Sequence, residues 1–176
     1  MAAPNALSLV RVALVPLVVI ALLVGFPWHL WVAAALFLIA SLTDLLDGRI
    51  ARSRGNVTVF GTFIDSLADK LLVVCTLIAL VQMDRVWGWV AMVVVAREFA
   101  VTGLRLVAAQ DEVISASRSG KIKMVLQVVA VLALMLNTLY PTLNDMLVIA
   151  MVIATIASGV EYFVNGWRHL SASVTR

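Results

Sequence analysis

The sequence predicts an all-α polytopic membrane protein: one domain, residues 1–176, folded as a six-transmembrane-helix bundle with a polar cleft facing the cytoplasm. Three observations predict it. The chain is 63% hydrophobic and 13% charged, with mean hydropathy +1.07, where soluble domains carry roughly 25% charged residues. Its apolar residues fall into six stretches, each near the roughly 20 residues that cross a bilayer core. Its basic residues gather in the loops of one side.

The first stretch, residues 6–25, carries Arg11 ahead of an apolar run and could pass for a secretory signal. No small-residue cleavage site follows and five more apolar stretches do, so it reads as the first span. Pro16 within it is a tolerated kink, and Gly25-Phe-Pro27 ends it. The second stretch, 30–51, closes at Arg52-Ser-Arg-Gly-Asn56, and the third, 61–82, at Gln82-Met-Asp-Arg85. The fourth, 86–107, leads into the polar run 110–120; the fifth and sixth, 120–139 and 144–166, meet around Asn137 to Asp145.

Six spans put both termini on one face. The loops of that face hold Arg49, Arg52, Arg54, Arg118, Lys121, Lys123, Arg168 and Arg176, and the opposite loops hold Arg85 alone. The positive-inside rule then places both termini in the cytoplasm of a multi-pass protein of the cell (inner) membrane. Trp28, Trp31, Trp87 and Trp89 flank the far face and Trp167 the near one, as interfacial anchors do. Topology accounts for the net charge of +3, and no nucleic-acid partner is expected. Cys75, the single cysteine, excludes an intrachain disulfide and reads as packing. His29 and His169 read as interfacial bystanders.

Against this apolar background stand Asp44-Leu-Leu-Asp47-Gly48-Arg-Ile-Ala51-Arg52 and, eight residues on, Gly61-Thr-Phe-Ile-Asp65-Ser-Leu-Ala-Asp69. An ionised carboxylate at the bilayer centre costs about 2.5–3.5 kcal/mol on insertion scales, so four of them need compensating charge. Asp44 and Asp47 are three apart, Asp65 and Asp69 four apart, and each pair lies on one helix face. A short loop makes the second and third helices antiparallel neighbours, so the carboxylates can converge at their cytoplasmic ends. Four negative charges match two Mg²⁺ or Mn²⁺ ions, which take hard oxygen ligands, and no His or Cys in the set suggests zinc. Gly48 and Gly61 bare the backbone where a bulky ligand could approach. Arg52, one turn past Gly48, offers a fixed fork for phosphate. Together they point to a diphosphate substrate.

The complete pattern D-x-x-D-G-x-x-A-R-x8-G-x3-D-x3-D, Asp44 to Asp69, resembles the signature of the CDP-alcohol phosphotransferases. These are six-helix membrane enzymes, usually homodimers, that move a phosphatidyl group from a CDP-linked lipid such as CDP-diacylglycerol to an alcohol. The resemblance implies that Asp44, Asp47, Asp65 and Asp69 hold two metal ions, that Asp69 is also the general base, and that Gly48 and Arg52 contact the CDP part of the donor. Thr58, in the spacer, is a further candidate for a donor phosphate, with an ordinary loop threonine as the alternative.

For the acceptor, the fourth stretch places Arg97, Glu98 and Arg105 inside an apolar run where each is costly. Adjacent Arg97 and Glu98 point about 100° apart on a helix and are not expected simply to neutralise each other. Arg97 and Arg105, eight apart, suit a phosphorylated acceptor; structural pairing with Glu161 or the aspartates is the alternative. Lys121 and Lys123 open the fifth helix, where cations oppose the dipole and a bound anion would help, or where they snorkel. The segments 97–105 and 120–127, with Pro4-Asn5 and Arg11, are similar to those of bacterial family members that take sn-glycerol 3-phosphate and make phosphatidylglycerophosphate. That likeness implies donor contacts from Asn5 and Arg11, Arg11 being equally readable as a topology signal.

Inositol phosphate or phosphatidylglycerol could be the acceptor instead, the first also suiting the arginines. From a different class, a cation-coupled transporter would be expected to show inverted repeats and broken helices near the midplane, whereas these carboxylates gather at one face.

Overall fold

Six α-helices follow one another along the chain: α1 (Ala3–Leu23), α2 (His29–Arg54), α3 (Val59–Gln82), α4 (Gly88–Ala108), α5 (Arg118–Leu136) and α6 (Pro141–Val174). The computed structural model describes the backbone of residues 3–54, 59–108, 118–136 and 141–174. It describes the side chains of residues 9–43, 67–104, 120, 122–136 and 142–164. Among the described residues the fold is all-helical, in the order the apolar stretches predict.

The ends differ from expectation where no breaker stands. α2 continues to Arg54, through residues read as a turn, because Gly55 is the first glycine or proline after Gly48 and arginines favour both helix interiors and the C-terminal end of the dipole. α6 starts on Pro141, whose fixed φ suits a first helical position. It runs 34 residues, about 51 Å at 1.5 Å per residue, against a hydrocarbon core of about 30 Å. Within it, Thr142–Val164 (23 residues, mean hydropathy 2.1) is the one described stretch long and apolar enough by itself to cross a bilayer; Leu9–Leu23, His29–Thr43 and Ile122–Leu136 are shorter apolar stretches.

The chain divides into two compact units, Met1–Trp87 with Val131–Leu139, and Gly88–Ala130 with Tyr140–Arg176. In the first, α1 packs on both α2 and α3, which also touch each other. The core interleaves Val15, Val18 and Leu22 of α1 with Ala33, Phe37 and Ala40 of α2 and Val73, Leu77 and Leu80 of α3. These spacings of three and four form single helical stripes, and the alanines let backbones approach closely. The outer faces are apolar as well: Leu17, Ile20, Ile39 and Ile78 are exposed.

Two turns of this unit are held by specific polar groups. Gly25, in the left-handed region at φ 64°, ends α1, a position where a residue without Cβ carries no penalty. The Ala21 carbonyl in the last turn of α1 then accepts from His29 Nδ1 at 3.1 Å, so His29 closes a helix end rather than standing by. α3 ends in a Schellman motif: Arg85 N–H donates to Leu80 O and Asp84 N–H to Val81 O, both at 3.0 Å. Asp84 takes the left-handed position usually given to glycine, at φ 55°. Arg85 Nη1 donates to Leu134 O (3.0 Å) and Met135 O (2.6 Å), capping the last turn of α5 and complementing its dipole. Burial pulls the Arg85 guanidinium below its ordinary value.

In the second unit α4 packs on α6. Val90, Val94 and Val101 face a seam made by Val148, Met151 and Val152. Beyond it α6 turns to small and polar residues, Thr155, Ser158 and Gly159, all buried.

Candidate active site

The aspartate signature falls in the first unit. Asp44, Asp47, Gly48 and Arg52 stand in α2, and Gly61, Asp65 and Asp69 in α3. The spacings of three and four are therefore helical, on two helices in contact. Asn5 stands in α1. The side chains of Asn5, Asp44, Asp47, Arg52 and Asp65, the surroundings of Gly48 and Gly61, and the whole of Thr58 lie outside the described residues. Asp69 is half-buried beside the fully buried Ala68 and takes part in a polar interaction.

Arg11 is 1% exposed in α1 and is also engaged by a polar partner. An arginine serving only topology keeps its guanidinium at the membrane surface. Arg11 is instead committed to the interior of the first unit.

The second unit collects the charges set within the apolar runs of α4 and α5. Glu98, 7% exposed, accepts from Arg97 Nη1 at 3.3 Å and from Lys123 Nζ. Side-chain direction alone had separated Arg97 from Glu98, but the long arginine folds back onto its neighbour. The carboxylate that pairs with Arg97 is thus Glu98 and not, among the described residues, Glu161 or an aspartate. Arg97 Nη2 donates to Ser158 Oγ at 3.0 Å, and Ser158 Oγ donates onward to Thr155 O at 3.1 Å. The Arg97 guanidinium also lies 5.9 Å from the Tyr162 ring centroid, a cation–π contact. Gly159 makes this possible, since a Cβ there would meet Arg97 Cγ at 3.3 Å.

Lys123 is thus buried and ion-paired rather than snorkelling. Arg105 and Lys121 stand in α4 and α5, with side chains outside the described residues. Sequence reasoning missed Ser158, Gly159 and Tyr162 as parts of this cluster, and the burial of Gln127 one turn from Lys123. Gln127 is 3% exposed, with its amide Nε2 buried and without a hydrogen-bond partner among the described residues. A signal for the ion pair was present: opposite charges on consecutive apolar helices usually find each other.

The sequence model describing the CDP-alcohol phosphatidyltransferases matches residues 1–160. The chain belongs to that family. Among its relatives, the CDP-diacylglycerol–glycerol-3-phosphate 3-phosphatidyltransferase of Bacillus subtilis is 45% identical over 97% of this chain and 97% of its own length. A probable phosphatidylglycerophosphate synthase of Mycobacterium tuberculosis is 37% identical over 94% of this chain and 82% of its own. A further CDP-diacylglycerol–glycerol-3-phosphate 3-phosphatidyltransferase, from Rickettsia bellii, is 36% identical over 91% of this chain and 92% of its own. In this CDP-alcohol phosphatidyltransferase the aspartate signature stands on α2 and α3, and the Arg97–Glu98–Lys123 cluster on α4 and α5.

Proposed function

We propose that this protein transfers the phosphatidyl group of CDP-diacylglycerol to sn-glycerol 3-phosphate, releasing CMP and forming phosphatidylglycerophosphate. The observation that carries the acceptor assignment is the buried Arg97–Glu98–Lys123 cluster. Two cations gather on one carboxylate in an apolar setting, an arrangement of fixed donors that a phosphate could share. The names of the relatives point to the same acceptor.

The carboxylate-only set Asp44, Asp47, Asp65 and Asp69, on two helices in contact, fits a pair of Mg²⁺ or Mn²⁺ ions. Bound there, such ions would neutralise the donor's diphosphate and the charge that builds up during transfer. The chain's own residues do the rest. Gly48 and Gly61 leave backbone open to the donor, and Arg52, Thr58, Asn5 and Arg11 hold its nucleotide and phosphates. Arg97, Arg105, Lys121 and Lys123 hold the acceptor's phosphate. The acceptor's primary hydroxyl attacks the phosphatidyl phosphorus in line, an O–P bond forms, the phosphoanhydride bond breaks, and CMP leaves. Asp69 takes the hydroxyl proton, because an alcohol near neutrality is a poor nucleophile without a base.

The same reading makes the protein a single six-span domain of the inner membrane, with termini and active site cytoplasmic, surrounded by membrane lipids and paired as a homodimer. Exposed apolar residues support the membrane part: Met146, Ile149, Ile153, Ile156 and Val160 form a continuous stripe on α6, a surface suited to lipid and not to water. Inositol phosphate as acceptor is the competing reading, since the same cations would bind it.

The test is CMP release from CDP-diacylglycerol by purified protein with Mg²⁺ and glycerol 3-phosphate, inositol phosphate or phosphatidylglycerol in separate tubes. Release with glycerol 3-phosphate alone, abolished by EDTA and by Asp69→Asn, supports the whole reading. Release with another acceptor keeps the donor chemistry and removes the acceptor assignment.

A further inference from the structure

Gln127 has the least explained side chain in the second unit. It is 3% exposed, and its amide Nε2 is buried with no hydrogen-bond partner among the described residues. A buried amide without a partner destabilises a fold, and Leu or Met would fill the same space with no such penalty. In a helix surrounded by apolar residues the penalty is greater, because no bulk water can serve as partner. A glutamine kept there implies a partner that the described residues do not supply.

Its neighbours say what kind. Gln127 follows Lys123 by four residues on α5, so the two share a face. Lys123 meets Glu98, and Glu98 meets Arg97. Arg97 has an orphan of its own, because its Nε is buried without a hydrogen-bond partner while both Nη atoms are engaged. Thr155 Oγ1, one turn before Ser158 on α6, is a third. A cationic cluster edged by unsatisfied neutral polar groups is complementary to a small molecule with a charged end and a hydroxylated end. The guanidinium and ammonium suit the charge. The amide, which both donates and accepts, suits a hydroxyl, which does the same.

We infer that Gln127 determines specificity by reading the hydroxyl of the acceptor that does not react. This rests on the proposed acceptor. With the phosphate of glycerol 3-phosphate against Arg97 and Lys123, the Gln127 amide bonds the secondary hydroxyl, and the primary hydroxyl is left as nucleophile. Being neutral, Gln127 adds nothing to phosphate affinity as such. Its contribution appears only as a preference for acceptors bearing that hydroxyl.

The experiment compares glycerol 3-phosphate with 3-hydroxypropyl phosphate, which keeps the phosphate and the primary hydroxyl and lacks the secondary one. CMP release is followed for the intact protein, Gln127→Leu and Gln127→Met, with the KM for CDP-diacylglycerol measured alongside to report an intact fold. The intact protein should favour glycerol 3-phosphate by about tenfold or more in kcat/KM, since sites built to bond a hydroxyl reject analogues without it. Both variants should bring the preference to within about twofold, by losing rate on glycerol 3-phosphate alone. Three results overturn the inference: no preference in the intact protein, a preference that survives both substitutions, as if a buried water satisfied the amide, or equal losses on both acceptors, which is the mark of a packing role. If the intact protein releases no CMP with glycerol 3-phosphate, the acceptor reading itself falls, and the inference with it.

Discussion

The two units hold their helices by different means. In the first, α1 lies between α2 and α3 through a dry seam of Val15, Val18, Leu22, Phe37 and Leu77. In the second, α4, α5 and α6 meet through Arg97, Glu98, Lys123 and Ser158. In lipid, apolar residues gain little from leaving one another's company for the bilayer, so packing and interhelical polar bonds decide association. The difference predicts where stability and substrate recognition are separable. In the first unit the described packing residues stand outside the signature positions. In the second, the side chains that tie the helices together are the ones proposed to bind the acceptor.

That contrast can be broken most decisively at Asp69. Asp69→Asn should reduce CMP release at least about a hundredfold, the usual contribution of a general base, with no change in thermal midpoint in detergent. An equal loss of stability would mean that the first unit also mixes the two functions. Glu98→Ala should do both at once. It leaves Arg97 and Lys123 buried without their carboxylate, a change that costs about 3–5 kcal/mol, and it should raise the KM for glycerol 3-phosphate while leaving that for CDP-diacylglycerol unchanged. Phe37→Ala, in the fully buried seam, should also cost about 3–5 kcal/mol if the site collapses little. Unlike Glu98→Ala, it should leave the acceptor's KM alone.

Gly159→Ala is a finer test. The added methyl meets Arg97 Cγ at 3.3 Å, so the guanidinium must shift by a few tenths of an ångström. A several-fold rise in acceptor KM with a stability loss under about 1.5 kcal/mol would show that the position of Arg97, and not merely its presence, matters. The smallest effect is expected at Asp84→Gly. Relieving the left-handed aspartate at φ 55° should raise unfolding stability by about 0.5–1 kcal/mol, with both KM values and kcat unchanged.

Much of this architecture is legible in the residues. The six helices follow from apolar runs punctuated at Gly25-Phe-Pro27 and Gln82-Met-Asp-Arg85, because local breakers end helices. α2 outran its expected end for the same reason, since arginines alone do not break a helix. The signature was legible because its residue types stand at fixed helical intervals, which α2 and α3 turn into helix faces. The cluster on α4, α5 and α6 was half legible. Charges in lipid announce themselves, but their partners are chosen by the reach of long side chains and by which helices touch. The pairing of Arg97 with adjacent Glu98, the space left by Gly159, and the capping of α1 by His29 are tertiary facts. Arg85 shows the same limit. Its sequence position suggested no more than a stray positive charge on the far face, whereas its guanidinium closes the end of a helix 50 residues away.

That arginine also sets an order on biosynthesis. The last carbonyls of a helix have no donors within it, and each one left without a partner away from water opposes folding. Arg85 is translated before any residue of α5. When the nascent chain delivers Leu134 and Met135, the two hydrogen bonds that receive them need only a side chain that has already been made, so the last turn of α5 can be closed as it arrives, before α6 has been synthesised.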